Sequence, residues 1–109
     1  MDILKLNAIS PLAGEILKGY DLVDESAAPV GILVRRADMS AYDVPASLLA
    51  VARAGAGVNN IPHADYAKRG IVVFNSPGAN ANAVKEMVIC EFLLAARNLV
   101  EGIRWTATL

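Results

Sequence analysis

The sequence predicts an open α/β sheet, mostly parallel, with helices on both faces. Strand-like and helix-like stretches alternate about four times along the chain, the pattern that builds such sheets. Val30-Gly31-Ile32-Leu33-Val34 is a continuous apolar run of strand length, as expected of a strand covered on both faces of a parallel sheet. Gly19 and Gly70 each close a helix-like stretch just before a strand-like one, as glycine does at helix ends.

The elements follow in order. Ile3 to Ile9 reads as a first strand. Ser10-Pro11 opens a helix, with Ser at the cap, Pro just inside and Glu15 in the early turns. Leu12, Ile16 and Leu17 share its apolar face. Tyr20 to Val23 reads as a short strand and Asp24 to Pro29 as a loop. After the Val30 strand, Asp38 to Pro45 leads into a short helix near Ala46-Ser47-Leu48-Leu49. Ala50 to Ala54 is the next strand, ending at Gly55-Ala56-Gly57. Pro62 opens a helix, and Lys68 and Arg69 suit the negative end of its dipole. Ile71 to Phe74 is a short strand, and Asn75-Ser76-Pro77-Gly78 a turn cluster. From Ala81 or Asn82 one long helix is predicted to about Trp105. Its apolar residues cover most of its circumference, so it is expected to pack on a partner surface.

Composition excludes several classes. At 55% hydrophobic and 19% charged, the chain is too apolar for a disordered segment. Net charge is -1 and no basic run exceeds two residues, Arg35-Arg36 and Lys68-Arg69. Neither a nucleic-acid surface nor an anionic-membrane surface is expected from that pattern. No stretch reaches the roughly 18 apolar residues of a membrane span. The single cysteine, Cys90, permits no internal disulfide and fits a reducing, cytoplasmic setting. Within Val88-Ile89-Cys90-Glu91-Phe92 it is expected to be a buried structural thiol. No signal peptide opens the chain, and no metal-ligand spacing appears.

Ligands of open α/β sheets bind beyond the carboxyl ends of strands. Two segments stand there: Arg35-Arg36 after the Val30 strand, and Arg53-Ala54-Gly55-Ala56-Gly57-Val58-Asn59-Asn60 after the Ala50 strand. The turn after Phe74 is a third. Gly55-x-Gly57 does not continue as a dinucleotide fingerprint. Asn60 takes the place of the third glycine, no acid stands about 20 residues on, and Pro62 interrupts the helix that would hold a pyrophosphate. A small-anion site suits the loop better. Two glycines allow close backbone approach, successive N–H groups can nest an anion, and Arg53 and Arg35 can grip carboxylate or phosphate. Spacing alone leaves a plain glycine-rich turn with two surface arginines equally open. His63, the only histidine, lacks a carboxylate at catalytic spacing and reads as a surface residue near a helix start.

Ala52-Arg53-Ala54-Gly55-Ala56-Gly57-Val58-Asn59-Asn60-Ile61, followed by Lys68-Arg69-Gly70-Ile71-Val72-Val73-Phe74-Asn75-Ser76-Pro77-Gly78-Ala79-Asn80-Ala81-Asn82-Ala83-Val84-Lys85-Glu86, resembles the D-isomer-specific 2-hydroxyacid dehydrogenases. The D-3-phosphoglycerate dehydrogenase branch is the most similar. Order and spacing hold over roughly the last two-thirds of the chain, and the part before it matches more loosely, through the strand ending in Val34-Arg35. The resemblance implies a flavodoxin-like substrate domain over residues 1–81 and a long linking helix over 82–109, leading to a Rossmann domain that binds NAD and is absent here. It implies that the N–H groups of Ala56 and Gly57 hold the substrate carboxylate, with Gly55 shaping the turn. Arg53 and Arg35 would help hold an anionic 2-hydroxy acid, and Ser76 would face the cofactor. Arg36 stands where many relatives have a small polar residue. The family's catalytic Arg, Glu and His have no counterpart in these residues.

The resemblance therefore implies the substrate-binding part of a cytoplasmic enzyme that oxidises 3-phospho-D-glycerate to 3-phosphohydroxypyruvate in serine biosynthesis, inactive alone. Self-association, as a homodimer through the 82–105 helix, is expected because that helix would otherwise expose a large apolar patch. Alternatives are the substrate domain of another family member, or a stand-alone flavodoxin-like binding or regulatory module. A phospho-receiver of that class needs clustered acids after its first strand, and here Ser10-Pro11 follows instead.

Overall fold

The apolar run at Val30–Val34 lies at the centre of a five-stranded sheet in the computed structural model, which describes residues 1–109. The strands are β1 (Asp2–Leu6), β2 (Asp21–Val23), β3 (Gly31–Val34), β4 (Ala50–Arg53) and β5 (Val72–Phe74). Their spatial order is β2-β1-β3-β4-β5, and all four pairings are parallel. This is the flavodoxin-like order, whose direction reverses between β1 and β3. The helices in this part are short: α1 (Leu12–Ile16) and α2 (His63–Lys68).

Register decides which side chains share a face. Val23, Leu4, Ile32, Val51 and Val73 form one row across the sheet. Leu4, Ile32 and Val51 are buried in that row, with Val34 one step along. Met39, Leu48, Ile61, Tyr66 and Ile71 close over it as one core. Tyr66 is the residue that α2 buries. The opposite face carries Ile3, Gly31, Ala50 and Val72 in one row and Lys5, Leu33, Ala52 and Phe74 in the next. Val72 and Phe74 stay exposed there, and α1 buries none of its own residues.

Three expected elements differ from those observed. The first strand ends at Leu6, not Ile9, because Asn7 turns the chain at φ 75°. Asn tolerates this left-handed region better than most residues. Its Oδ1 then accepts the N–H groups of Ala37 (2.7 Å) and Arg36 (3.3 Å), tying β1 to the segment after β3. No helix forms over Ala46–Leu49. The Leu48 N–H closes a single turn on the Pro45 carbonyl, the Ser47 hydroxyl donates to the Pro29 carbonyl, and the Leu49 N–H donates to Val30. Those bonds commit the backbone to the neighbouring strand before a second helical turn can form. Beyond them, the Asp38 carboxylate accepts from Ser40, and these hydrogen bonds hold it below its ordinary range.

The third difference lies in the second of two compact units, Met1–Pro77 and Gly78–Leu109. The predicted long helix is two helices, α3 (Ala81–Ala96) and α4 (Leu99–Thr106). Asn98 adopts the left-handed conformation (φ 49°, ψ 40°) and its N–H closes the end of α3 on Ala95. Apolar residues continue through the break, so periodicity does not reveal it. No residue of α3 is buried, and Met87, Phe92 and Leu93 are all exposed. Cys90 is likewise exposed and not buried as expected, since it lies on a helix with no covered face. On α4, Glu101 pairs with Arg104 at 2.6 Å. No helix is long and apolar enough to cross a membrane.

The Tyr66 hydroxyl is buried without a partner, and a buried unpaired polar group costs on the order of 1–3 kcal/mol. Tyr66→Phe is therefore expected to leave the chain as stable or more stable in urea titrations, and a loss of more than about 1 kcal/mol would show a bonded hydroxyl. Burial lifts the Tyr66 hydroxyl above its ordinary range, with Tyr42 adding and Arg69 opposing. Above pH ~10 the unfolded chain loses this proton while the folded chain keeps it. Wild-type stability should fall with pH there, and less so in Tyr66→Phe. Asn7→Ala, which removes an acceptor of two N–H groups, should cost about 1–3 kcal/mol by the same measurement.

Candidate functional site

Strands β3 and β4 end level with one another, Val34 opposite Arg53. The chain beyond each therefore emerges at the same edge of the sheet, and the turn after β5 joins them. The Arg53 guanidinium lies across this edge. Its Nε donates to the Arg35 carbonyl at 2.8 Å, and its Nη1 donates to the Gly57 carbonyl. One planar, rigid fork thus fixes the ends of two strands relative to the glycine loop.

The turn after β5 holds the loop from the other side. The Ser76 N–H donates to the Gly55 carbonyl at 3.0 Å. The Ser76 hydroxyl accepts the Gly55 N–H at 2.9 Å and donates to the Arg53 carbonyl at 3.1 Å. The Asn75 amide donates to the Ala56 carbonyl at 2.7 Å. The carbonyls of Gly55, Ala56 and Gly57 are thus all bound within the chain. In a planar trans peptide the N–H points opposite to its carbonyl. The N–H groups of Ala56, Gly57 and Val58 accordingly face away from the groups that hold the loop, and none finds a partner within the chain. Ala56 and Gly57 are exposed.

The two glycines also make room within the chain. Neither has a positive φ. A Cβ on Gly57 would stand 3.1 Å from Arg53 Nη1 and 3.2 Å from Asn59 Oδ1, and one on Gly55 3.3 Å from Arg53 Cζ. A side chain at either position would press on the guanidinium, which would have to shift by a few tenths of an ångström.

The expected residues thus meet in part. Arg53, Gly55, Ala56, Gly57 and Ser76 form one hydrogen-bonded cluster. Arg35 joins it through its carbonyl, while its exposed guanidinium has no partner within the chain. Ser76 directs its hydroxyl into the glycine loop. His63 is exposed at the start of α2, with Nδ1 near the Ile61 carbonyl at 3.3 Å. Asn75 is a member of the cluster that the motif does not single out. Its only sequence signal is the Asn-x-Pro turn, which reads as a turn and nothing more.

A family model describing the catalytic domain of D-isomer specific 2-hydroxyacid dehydrogenases matches residues 23–108, and so spans β3, β4, β5 and the whole cluster. The chain belongs to this family. A protein of Archaeoglobus fulgidus named D-3-phosphoglycerate dehydrogenase is 30% identical over 107 residues, which is 95% of this chain and 20% of that protein. A Staphylococcus aureus protein designated a 2-hydroxyacid dehydrogenase is 32% identical over 97 residues, 81% of this chain and 31% of its own length. The chain therefore spans between a fifth and a third of these curated relatives.

The family implies a nicotinamide cofactor, and the residues present do not form a dinucleotide cradle. Such a cradle needs a glycine loop that opens directly into a helix. Here turns intervene from Val58 to Pro62, and α2 begins only at His63.

Arg53→Ala removes a charged donor from two carbonyls, and is expected to lower stability by about 1–3 kcal/mol in denaturant titrations. Arg53→Lys, a point charge in place of a fork, should recover little of that loss.

Proposed function

We propose that the chain is the substrate-binding part of an NAD-dependent D-3-phosphoglycerate dehydrogenase, acting on 3-phospho-D-glycerate. The observation that carries this reading is the set of unpaired N–H groups at Ala56, Gly57 and Val58, fixed by bonds to the carbonyls behind them. Successive backbone N–H groups in a turn can form a nest for an anion. The substrate carboxylate accepts from Ala56 and Gly57. The free guanidinium of Arg35 serves the phosphate end, where bidentate pairing favours Arg. Arg53 adds positive charge while it holds the loop. The name of the Archaeoglobus fulgidus relative supports the phosphorylated substrate, and the Staphylococcus aureus name supports a 2-hydroxy acid in general.

When bound, NAD supplies the acceptor for the hydride of the 2-hydroxyl carbon. The residues of this chain bind and orient the acid. The cofactor pocket and the acid–base residues are proposed to lie in a Rossmann domain outside these residues, so the chain by itself is proposed to be inactive. A cytoplasmic setting is part of this proposal, supported by the single cysteine. The exposed apolar side chains of α3 support self-association, as a homodimer, through that helix.

In ¹H–¹⁵N spectra of the chain, D-glycerate and 3-phospho-D-glycerate should both shift the Ala56 and Gly57 amides, the phosphorylated acid at lower concentration. Arg35→Ala should remove most of that difference. Equal affinity of the wild-type chain for the two acids would move the substrate to an unphosphorylated 2-hydroxy acid. In NADH-consumption assays with 3-phosphohydroxypyruvate, the protein joining this chain to a cofactor domain should turn over and the chain alone should not. Sedimentation of the chain should show mass rising with concentration, and a clean monomer at high concentration would remove the proposed α3 interface.

A further inference from the structure

We infer that Asn75 is a positioning residue that aims the Gly57 N–H at the substrate carboxylate, which makes it a determinant of affinity although it need not touch the substrate. The inference rests on the proposed carboxylate site and extends it to a residue outside the glycine motif. Asn75 is exposed, so its place is not explained by burial. Its side-chain amide reaches the loop and donates to the Ala56 carbonyl at 2.7 Å.

That bond selects one peptide plane. The Ala56 carbonyl and the Gly57 N–H belong to the same planar unit and point in opposite directions. Fixing the carbonyl towards Asn75 fixes the N–H away from it. The neighbouring planes are fixed independently, Gly55–Ala56 by the Ser76 N–H and Gly57–Val58 by Arg53. A glycine at 57 leaves its own backbone freer to rotate than any other residue would. Without Asn75, the middle plane of the three loses its only hydrogen bond to a group outside the loop. The strength of an anion nest comes from N–H groups that are already aligned before the anion arrives. Asn75 supplies that alignment for one donor of the set.

The test uses the ¹⁵N-labelled chain titrated with D-glycerate, following the Ala56 and Gly57 amides. In Asn75→Ala, affinity should fall by roughly tenfold, the worth of about one hydrogen bond. The Gly57 shift at saturation should shrink more than the Ala56 shift, because the Ala56 plane keeps its Ser76 bond. Unchanged affinity and an unchanged Gly57 shift would overturn the inference. Asn75→Asp provides a second variant of the same shape that lacks the donor, with Asn59→Asp as a control for adding one negative charge beside the loop. Asn75→Asp should bind more weakly than Asn59→Asp, and equal affinities would overturn the inference if Asn75→Ala fails to fold. Wild-type amides that do not respond to D-glycerate would remove the carboxylate site itself and the role of Asn75 with it. A wild-type response that Asn75→Ala retains in full would remove only the role of Asn75.

Discussion

Parallel pairing of β3 with β4 brings Val34 and Arg53 to the same level, and the arrangement at the carboxyl edge depends on that alignment. A side chain at the last position of β4 can reach the first carbonyl after β3 only if the two strands stop together. Slipping the register by one residue would turn Arg53 to the other face of the sheet, taking both of its carbonyl contacts with it. The register is held by apolar packing some distance away. Ile32 and Val51 are opposite one another and buried beneath Met39, Leu48 and Tyr66. The core thus fixes the geometry of a polar cluster that contributes little to the core itself.

In the glycine loop, one side of each peptide plane is bound within the chain. Each carbonyl of Gly55, Ala56 and Gly57 is satisfied by a donor of a different kind: a backbone N–H, a side-chain amide and a guanidinium. The donors left over are the N–H groups on the far side of the same peptide planes. The motif draws attention to Arg53, the glycines and Ser76, whereas the geometry adds Asn75.

Much of the sheet was legible in the sequence because its strands are short apolar runs punctuated by glycine and proline. Val30–Val34 and Ile71–Phe74 were readable for that reason. What escaped was set by side chains acting on backbone at a distance. Asn7 ends β1 early by accepting two N–H groups from residues 29 and 30 positions away. Ser47 and Leu49 are drawn to Pro29 and Val30 instead of into a helix. Asn98 breaks α3 from α4 while the apolar pattern runs on. At the site, the glycines and Arg53 were legible as a group, but their mutual dependence was not. That the glycines make room for the guanidinium appears only when a Cβ is placed on them.

The strand order has a consequence for how the chain is made. β1 is synthesised first, yet its partners β2 and β3 begin at Asp21 and Gly31. β4 follows only at Ala50, and Ile71, which belongs to the core, later still. Every ladder in the sheet joins segments well separated along the chain, the topology that folds slowly because loops must close before contacts reward them. Leu4 and Ile32 therefore stay without part of the core that covers them until Ile71 has been made. During that interval uncovered apolar strands are exposed to the aggregation that such unpaired edges favour.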